Sequence, residues 1–257
     1  MVTTATGTYV YGVVPADVET DSEARGVGGD GAPVTVVRHG RVAALVSEVN
    51  LDRPLGTPDD LLAHEALLDA TAAVVPVVPV RFGAVLTDEK SIVDEFLAPH
   101  HDEFAATLGR LDGKAEYVVT AKYAEDALLR EVIAADPRLE RLRAAIRDRP
   151  EETTREERIE LGEAVGAAID ARRRADAQAV VEALAPATTT AVEREPVGEF
   201  GAANVAVLAE TRRERQLVRA VEDLARRWAG RVEVRLLGPL APYDFTEAQP
   251  WDSSAPS

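Results

Sequence analysis

The stretch NVAVLAETRRERQLVRAVEDLARRWAGRVEVRLL, residues 204–237, decides the fold of the second half of this chain. It opens with Asn204–Glu210, an apolar run typical of a buried strand, and Thr211 is a residue type that caps the start of a helix. The helix carries an apolar stripe at helical spacing and ends at Gly230. A last strand, Val232–Leu237, alternates apolar and charged residues, so the stretch predicts a strand–helix–strand unit.

The elements before this stretch complete the pattern. Glu116–Tyr123 alternates as a strand, and Thr188–Arg194 is predicted to be another. The residues between them have helical spacing, with a break at Pro137 and a long helix from Thr153 to Leu184. The order is then β-α-β-β-α-β, which predicts a ferredoxin-like domain over residues 113–245, with a helical hairpin inserted after its first helix.

The first half, residues 1–112, predicts a separate α+β domain that matches no named fold. The first strand is Thr8–Val14, and a hairpin follows from Val34–Arg38 and Arg41–Val49. A buried strand is expected at Val77–Phe82, where Gly83 ends it. The chain is therefore predicted to be an α+β protein of two domains.

Two helices are predicted in this first domain. Thr57 is the expected N-cap of the first helix and Pro58 its first residue, while Thr87 is the expected cap of the second. The apolar face of the first helix is predicted from four residues at roughly helical spacing, namely Leu61, Leu62, Leu68 and Ala72.

Composition limits the possible partners. The chain has 29 basic and 45 acidic residues, a net charge of −16, which disfavours nucleic acid and anionic membrane surfaces. It has no cysteine, so disulfides and thiolate metal sites are excluded. No signal peptide and no apolar run of about 20 residues are seen, so we expect a cytoplasmic protein without membrane segments. Residues 246–257 are expected to form a disordered tail.

The motif matches do not predict catalysis. Gly26, Gly28 and Gly31 fit G-x-G-x-x-G, but Pro33 and a strand follow where a nucleotide site needs a helix, so a flexible loop is favoured. His64 begins the H-E-x-x-H zinc pattern without its second histidine. We expect His64 to be a partly exposed helix residue.

Two charged clusters are also interpreted as solvated surfaces. Residues His100–Glu103 include metal-ligand types, but neighbouring helix residues point about 100° apart and cannot easily chelate one ion. The cluster Arg172–Arg174 is more often a solvated helix face than an anion site. We therefore predict no catalytic residue, no cofactor and no metal, and a protein that is not an enzyme.

Two segments, residues 77–83 and 237–245, differ from what a generic fold requires. The first sets an arginine inside an apolar strand, and the second combines prolines with two aromatic residues. They are either a buried strand and a docked chain end, or a surface that binds a partner through aromatic anchors. The candidate partner-binding residues are Arg81, Phe82, Tyr243 and Phe245.

Five segments carry a resemblance to a known family. They are YVYGVV at 9–14, LLAHE at 61–65, VPVRFG at 78–83, EYVVTAK at 116–122 and GPLAPYDF at 238–245. Together, in this order and over nearly the whole chain, they resemble the gas vesicle accessory protein F/L family. Departures at Thr120, Lys122 and Ala241 leave the F type and the L type both open.

The resemblance implies two α+β domains, the second ferredoxin-like. It also implies a minor structural or assembly protein of gas vesicles, without enzymatic activity and located with the vesicles in the cytoplasm. The implied partners are the small hydrophobic shell protein of the GvpA type and other gas vesicle accessory proteins. The alternative is a small-ligand-binding regulatory module, which rests on fold analogy alone.

Overall fold

The computed structural model describes residues 5–20, 24–28, 32–124 and 127–246. The tail that was predicted to be disordered lies outside the described residues, except for residue 246. The fold is α+β with two antiparallel sheets, as the sequence predicted. None of the helices within these ranges is long and apolar enough to cross a bilayer.

The chain forms two compact units, here called the N-unit and the C-unit. The N-unit contains the chain up to Tyr117, then Leu208–Arg212, and then the chain from Gly238 onward. The C-unit contains Val118–Val207 and Arg213–Leu237. The N-unit is thus assembled from three separate parts of the sequence. The predicted domain boundary between residues 112 and 113 stays a prediction.

One antiparallel sheet organises the N-unit. Its strands are β1 (Thr6–Pro15), β2 (Thr35–His39), β3 (Val42–Asn50), β4 (Val78–Pro79) and β5 (Val85–Leu86). Their order is β2-β3-β1-β4, and β5 also pairs with β1. The predicted hairpin forms as β2 and β3, since Gly40 takes the positive φ of 58° that the turn needs.

The predicted strand Val77–Phe82 was too long. Only β4 pairs as a strand, because the chain turns away at Gly83, whose φ is 98°, before it returns to β1 as β5. This turn places Val80 and Gly83 next to β1, where Val80 donates its N–H to the carbonyl of Tyr11 at 2.8 Å.

Three helices belong to the N-unit. They are α1 (Pro58–Ala72), α2 (Glu89–Ser91, which continues as a π-helix over Ile92–Leu97) and α3 (His101–Leu111). Thr57 caps α1 as predicted, in a reciprocal pair with Asp60. The cap predicted for the second helix was wrong, because the carboxylate of Asp88, and not Thr87, accepts the N–H of Ser91 at 2.8 Å.

The predicted apolar face of α1 was right for Leu68 and Ala72 and wrong for Leu61 and Leu62. Its four buried residues are Asp60, His64, Leu68 and Ala72. The side chains of Leu61 and Leu62 are 42% and 62% exposed. In the first half of the helix, Asp60 and His64 take the inner positions instead, because both find buried hydrogen-bond partners there.

Strand β1 contributes side chains to two separate parts of the N-unit core. Val10 and Val13 lie in one cluster of buried residues, whereas Tyr9, Tyr11 and Val14 lie in the other. Side chains of a strand alternate between its faces, and an irregularity between residues 10 and 12 shifts this alternation once. The strand is therefore buried on both faces.

The C-unit contains most of the second sheet. Its strands are β6 (Lys114–Tyr123), β7 (Thr190–Arg194), β8 (Gly201–Glu210) and β9 (Val232–Leu240), in the order β7-β8-β6-β9. Its helices are α4 (Ala127–Ala135), α5 (Pro137–Ile146), α6 (Arg155–Leu184) and α7 (Glu214–Arg227). Thr211 was predicted to cap α7, but it begins a short 3₁₀ turn and Arg213 is the N-cap residue.

Candidate functional site

Residues from four parts of the N-unit meet around one buried imidazole. Strand β1 supplies Tyr9 and Tyr11, two residues apart and therefore on the same face. Helix α1 supplies His64, one turn after Asp60, and the turn after β4 supplies Phe82. The C-terminal part of the chain supplies Tyr243. We call these residues, apart from Asp60, the Tyr–His cluster.

A directed series of hydrogen bonds runs through the Tyr–His cluster. The N–H of Gly83 donates to the hydroxyl oxygen of Tyr9 at 3.1 Å, and this hydroxyl lies 3.0 Å from Nδ1 of His64. Nε2 of His64 lies 2.9 Å from the Tyr243 hydroxyl, which in turn faces the carbonyl oxygen of Val80 at 3.5 Å. We assign the ring proton to Nε2, because this tautomer gives both tyrosine hydroxyls an acceptor, Nδ1 for Tyr9 and the Val80 carbonyl for Tyr243.

Burial sets the charge of each member of the series. It lowers the pKa of His64 to about 4, so the ring is neutral at neutral pH. Burial also raises the pKa values of Tyr9 and Tyr243, which keeps both hydroxyls protonated. The prediction of a partly exposed His64 was wrong, since the residue is only 2% exposed.

Aromatic rings enclose the imidazole. The Tyr11 ring stacks on it at a centroid distance of 5.7 Å and an interplanar angle of 27°. Tyr9 and Phe82 meet it edge-on at 5.7 and 5.6 Å. With both ring nitrogens hydrogen-bonded and the ring packed in this way, His64 serves as a structural connector.

The start of the glycine-rich segment that resembled a nucleotide motif, Gly26 and Val27, packs against Tyr11, while Gly31 of that motif lies outside the described residues. The N–H of Val27 donates to the Tyr11 hydroxyl at 2.6 Å, and this hydroxyl lies 2.8 Å from Oγ of Ser47. A Cβ atom on Gly26 would come within 2.3 Å of the Tyr11 hydroxyl. Glycine is therefore needed at residue 26 so that the loop can approach a tyrosine, and not a phosphate.

Asp60 is the second buried polar group on α1. It accepts hydrogen bonds from Nη2 of Arg53 at 2.9 and 3.0 Å, and from the N–H groups of Gly28, Gly56 and Thr57. Burial alone would raise the pKa of Asp60, but the hydrogen bonds from Thr57 and Arg53 lower it overall. The carboxylate thus ties the start of α1 to two loops.

The C-terminal strap, Ala241–Phe245, closes over this part of the N-unit. The N–H of Ala241 donates to Asp69 of α1 at 2.8 Å, and the N–H of Asp244 donates to Glu116 at 3.1 Å. Phe245 is partly buried and packs against one of the two core clusters. The strap is thus held at three points besides the bond between Tyr243 and His64.

The structure separates the four candidate partner-binding residues. Phe82 packs into the core cluster that contains Tyr9, and Phe245 packs into the other. The side chain of Arg81 is exposed, and that of Tyr243 is 37% exposed. Partner binding by these residues stays a prediction, and only Arg81 and Tyr243 offer substantial surface for it.

The C-unit has its own buried polar group, Asp176, which is 3% exposed. Its carboxylate accepts hydrogen bonds from the Tyr123 hydroxyl at 2.6 Å and from Nη2 of Arg231. Glu131 accepts from Arg231 and from Arg172, both at 2.8 Å. These five residues form the Asp176 network.

The predicted solvated face at Arg172–Arg174 was wrong for two of its three residues. Arg172 belongs to the Asp176 network, and Arg173 donates to the carbonyl oxygens of Gly201 and Glu199 at 3.0 and 2.6 Å. A run of three arginines on one helix does not show in sequence which of them will meet an acceptor from another element.

In the cluster at His100–Glu103, Asp102 and Glu103 are exposed, whereas the two histidines are partly buried. His101 accepts the N–H of Arg41 at Nε2, at 3.2 Å, and its Nδ1 lies 2.9 Å from Asp102. Within residues 5–20, 24–28, 32–124 and 127–246, histidines and carboxylates form no group of three or more that could hold a metal ion.

The fold and the site define a class of protein. It is a two-unit α+β protein whose buried histidine, tyrosines and carboxylates are used to hold its segments together. The family model described as gas vesicle synthesis protein GvpL/GvpF matches residues 7–247. This chain therefore belongs to the GvpL/GvpF family of gas vesicle proteins, as the sequence motifs indicated.

Relatives from both branches of the family resemble it over most of their length. Gas vesicle protein F of Streptomyces sp. (strain CB03234) is 34% identical over 93% of this chain and 99% of its own length. Gas vesicle protein L of the same organism is 28% identical over 92% and 91%. The crystal structure of GvpF from Anabaena sp. PCC7120 shares the fold, with a TM-score of 0.82 at 23% identity over 95% of this chain and 99% of that one.

Replacing Tyr243 by phenylalanine is expected to lower the free energy of unfolding by about 1 kcal/mol, because it removes one hydrogen bond and keeps the ring. Urea unfolding measures the loss. A double-mutant cycle with His64→Gln supplies the control, since residues in one hydrogen-bonded series should not be additive. Additive losses would contradict the bond between Tyr243 and His64.

Proposed function

We propose that this protein is a minor structural and assembly protein of gas vesicles that binds the small hydrophobic shell protein. The observation that carries the proposal is the family match over residues 7–247, together with relatives named gas vesicle protein F and L. The protein acts in the cytoplasm at the vesicles, with the shell protein of the GvpA type and other accessory proteins as partners.

In this proposal the surface charge keeps the protein in solution, and a small exposed patch binds the partner. The net charge of −16 prevents self-aggregation while the protein is bound to an apolar partner. The exposed side chain of Arg81 and the exposed part of Tyr243 contact the shell protein. Phe82 and Phe245 act indirectly, because their rings fix the backbone that presents the other two.

The C-unit is proposed to be a ferredoxin-like domain. If β6, β7, β8 and β9 are numbered 1 to 4, their order across the sheet, β7-β8-β6-β9, is 2-3-1-4. This is the strand order of the β-α-β-β-α-β fold. Helices α5 and α6 lie between the first helix, α4, and the second strand, β7. They are the inserted helical hairpin of this proposal.

We propose no enzymatic activity. Among the described residues, the four buried histidine and carboxylate groups are each bound by other groups of the chain: His64 by two tyrosines, Asp60 by Arg53 and three backbone N–H groups, Glu116 by the N–H of Asp244, and Asp176 by Arg231 and Tyr123. A group saturated in this way has no site left for a substrate.

A binding assay with purified shell protein tests the proposed function. The wild-type protein is expected to bind at both low and high salt, because an apolar contact is little screened by ions. The double variant Arg81→Ala/Tyr243→Ala is expected to bind several-fold more weakly. Arg235→Ala removes an arginine that is also exposed and is expected to bind like the wild type.

The same assay can overturn the proposal. Far-ultraviolet circular dichroism first establishes that each variant is folded. If folded wild-type protein binds at neither salt concentration, the shell protein is not its partner. Equal binding by the double variant and the wild type would show that Arg81 and Tyr243 do not form the contact.

A further inference from the structure

Helix α1 buries two ionisable residues and leaves two leucines exposed. Two of its four buried residues, Asp60 and His64, are ionisable, whereas Leu62 is 62% exposed. A helix on the surface of a protein normally buries its leucines and exposes its charges. Burial of the two polar groups is explained by their hydrogen bonds, but those bonds give no reason for an apolar outer face.

The outer face of α1 is continuous over most of the helix. Successive residues of an α-helix are rotated by about 100°, which brings four exposed residues within about 80° of one another. They are Leu62, Ala66, Ala70 and Ala73, and we call them the α1 face. The α1 face is about 16 Å long, or three turns. Its three alanines allow another backbone to approach closely.

The apolar surface continues past the end of α1. Val74, which follows the helix directly, is strongly exposed and lines an open depression of about 680 Å³. Val18, Val75 and Leu108 also line this depression, and all of them belong to the N-unit. The α1 face and the depression therefore form one surface, joined at Val74.

The charges around this surface are mostly negative. Glu65 and Asp69 lie along one edge of the α1 face, and Asp59 lies beside Leu62 and Ala66 on the helix. The helix itself has no basic residue. Around the depression the charged residues are Asp17, Glu19, Asp112 and Arg41, and Arg41 is 3.8 Å from the carboxylate of Asp102.

We propose that the α1 face and its depression bind an amphipathic helix of another protein, one with an apolar stripe flanked by lysines or arginines. The apolar stripe of the partner helix lies along the alanines of the α1 face, and its larger side chains enter the depression. This close approach brings the basic residues of the partner helix to Glu65 and Asp69. The C-terminal strap lies at one edge of this surface, since the N–H of Ala241 donates to Asp69. The residues that carry the binding, Leu62, Ala66 and Val74, are not those proposed to contact the shell protein, so their occupation does not depend on the shell protein's being the partner.

A second copy of this chain does not fit the same surface. In a twofold pair, α1 would face α1 of the other copy, and the same acidic surface would lie on both sides of the contact. Asp59, Glu65 and Asp69 of each copy would then find no lysine or arginine on either helix to pair with. The total charge of −16 on each copy adds to this repulsion.

The probe for this surface is a dye-labelled 14-residue helical peptide of leucines and lysines, titrated with the full-length protein and followed by fluorescence anisotropy. The variant Leu62→Gln/Ala66→Gln keeps the net charge, so non-specific attraction to the peptide is unchanged. It is expected to bind at least ten-fold more weakly than the wild type. The control Leu129→Gln/Ile159→Gln, at exposed apolar residues of the C-unit, is expected to stay within two-fold.

The unfolding midpoints in urea should be unchanged by these substitutions at exposed residues. Equal binding of the peptide by wild type and α1 variant would overturn the proposal, as would equal binding of a leucine–glutamate peptide of the same length. Sedimentation of the free protein supplies another test. Self-association that is lost in Leu62→Gln/Ala66→Gln would assign the surface to a second copy and contradict the proposal.

Discussion

Replacing Asp176 by alanine is expected to lower the free energy of unfolding by about 2–3 kcal/mol, because Arg231 and Tyr123 both lose a buried carboxylate acceptor. Arg231 would keep Glu131 and its contact with the Trp228 ring, whose centroid lies 5.1 Å from the guanidinium carbon. The hydroxyl of Tyr123 would lose its acceptor. Tyr123 is buried, so its hydroxyl cannot turn toward water without disturbing the C-unit core.

An exposed ion pair serves as the control for Asp176. The pair of Arg235 and Glu233 lies on β9 in solvent, so Glu233→Ala is expected to change the free energy of unfolding by less than about 1 kcal/mol. Urea unfolding of both variants measures the two losses. A loss of less than 1 kcal/mol for Asp176→Ala would mean that the Asp176 network contributes little to stability.

The stability of the wild-type protein is expected to fall by about 3 kcal/mol between pH 6.5 and pH 4 through His64 alone. The pKa of His64 is about 4 in the folded chain and ordinarily 6.5. As the pH falls through this range, the unfolded chain takes up the proton first. Acid therefore favours unfolding, and the contribution of neutral His64 is fully present only above pH 6.5.

The variant His64→Leu isolates this contribution. It is expected to be less stable than the wild type at pH 7, because the hydroxyl of Tyr9 loses its acceptor. The difference between the two proteins should shrink toward pH 4, since leucine does not titrate. Carboxylates such as Asp60 and Asp69 also respond to pH, but they are present in both proteins.

Urea unfolding at pH 7, 6, 5 and 4 measures both curves. A difference that stays constant over this range would mean that His64 titrates normally in the folded protein. It would then also contradict the hydrogen-bond series between Gly83 and Val80, which requires a neutral ring.

Much of the fold could be predicted from local patterns. The capped start of α1 at Thr57, the hairpin of β2 and β3, and the strand–helix–strand stretch at residues 204–237 are formed by residues close in sequence. Two predictions failed in the exact position where a helix begins or a strand ends. Asp88, and not Thr87, caps α2. The strand expected at Val77–Phe82 is only Val78–Pro79, because the chain turns at Gly83.

The site was harder to predict because its partners are far apart in the sequence. His64 is 55 residues from Tyr9 and 179 from Tyr243, so nothing near it indicated burial. The segments that carried the family resemblance did include all three residues. Spacing alone assigned the inner face of α1 to Leu61 and Leu62, since a period of 3.6 residues does not reveal which polar groups will find a partner.

The C-terminal strap has a consequence for the order in which the protein is made. A ribosome completes β1 and α1 early, but Tyr243, Ala241 and Asp244 emerge only after the whole C-unit has been synthesised. The hydrogen bonds that the strap makes to His64, Asp69 and Glu116 can therefore form only when translation is nearly finished. The first half of the polypeptide becomes mature only when its final segment arrives, so a chain that stops early leaves its oldest part incomplete.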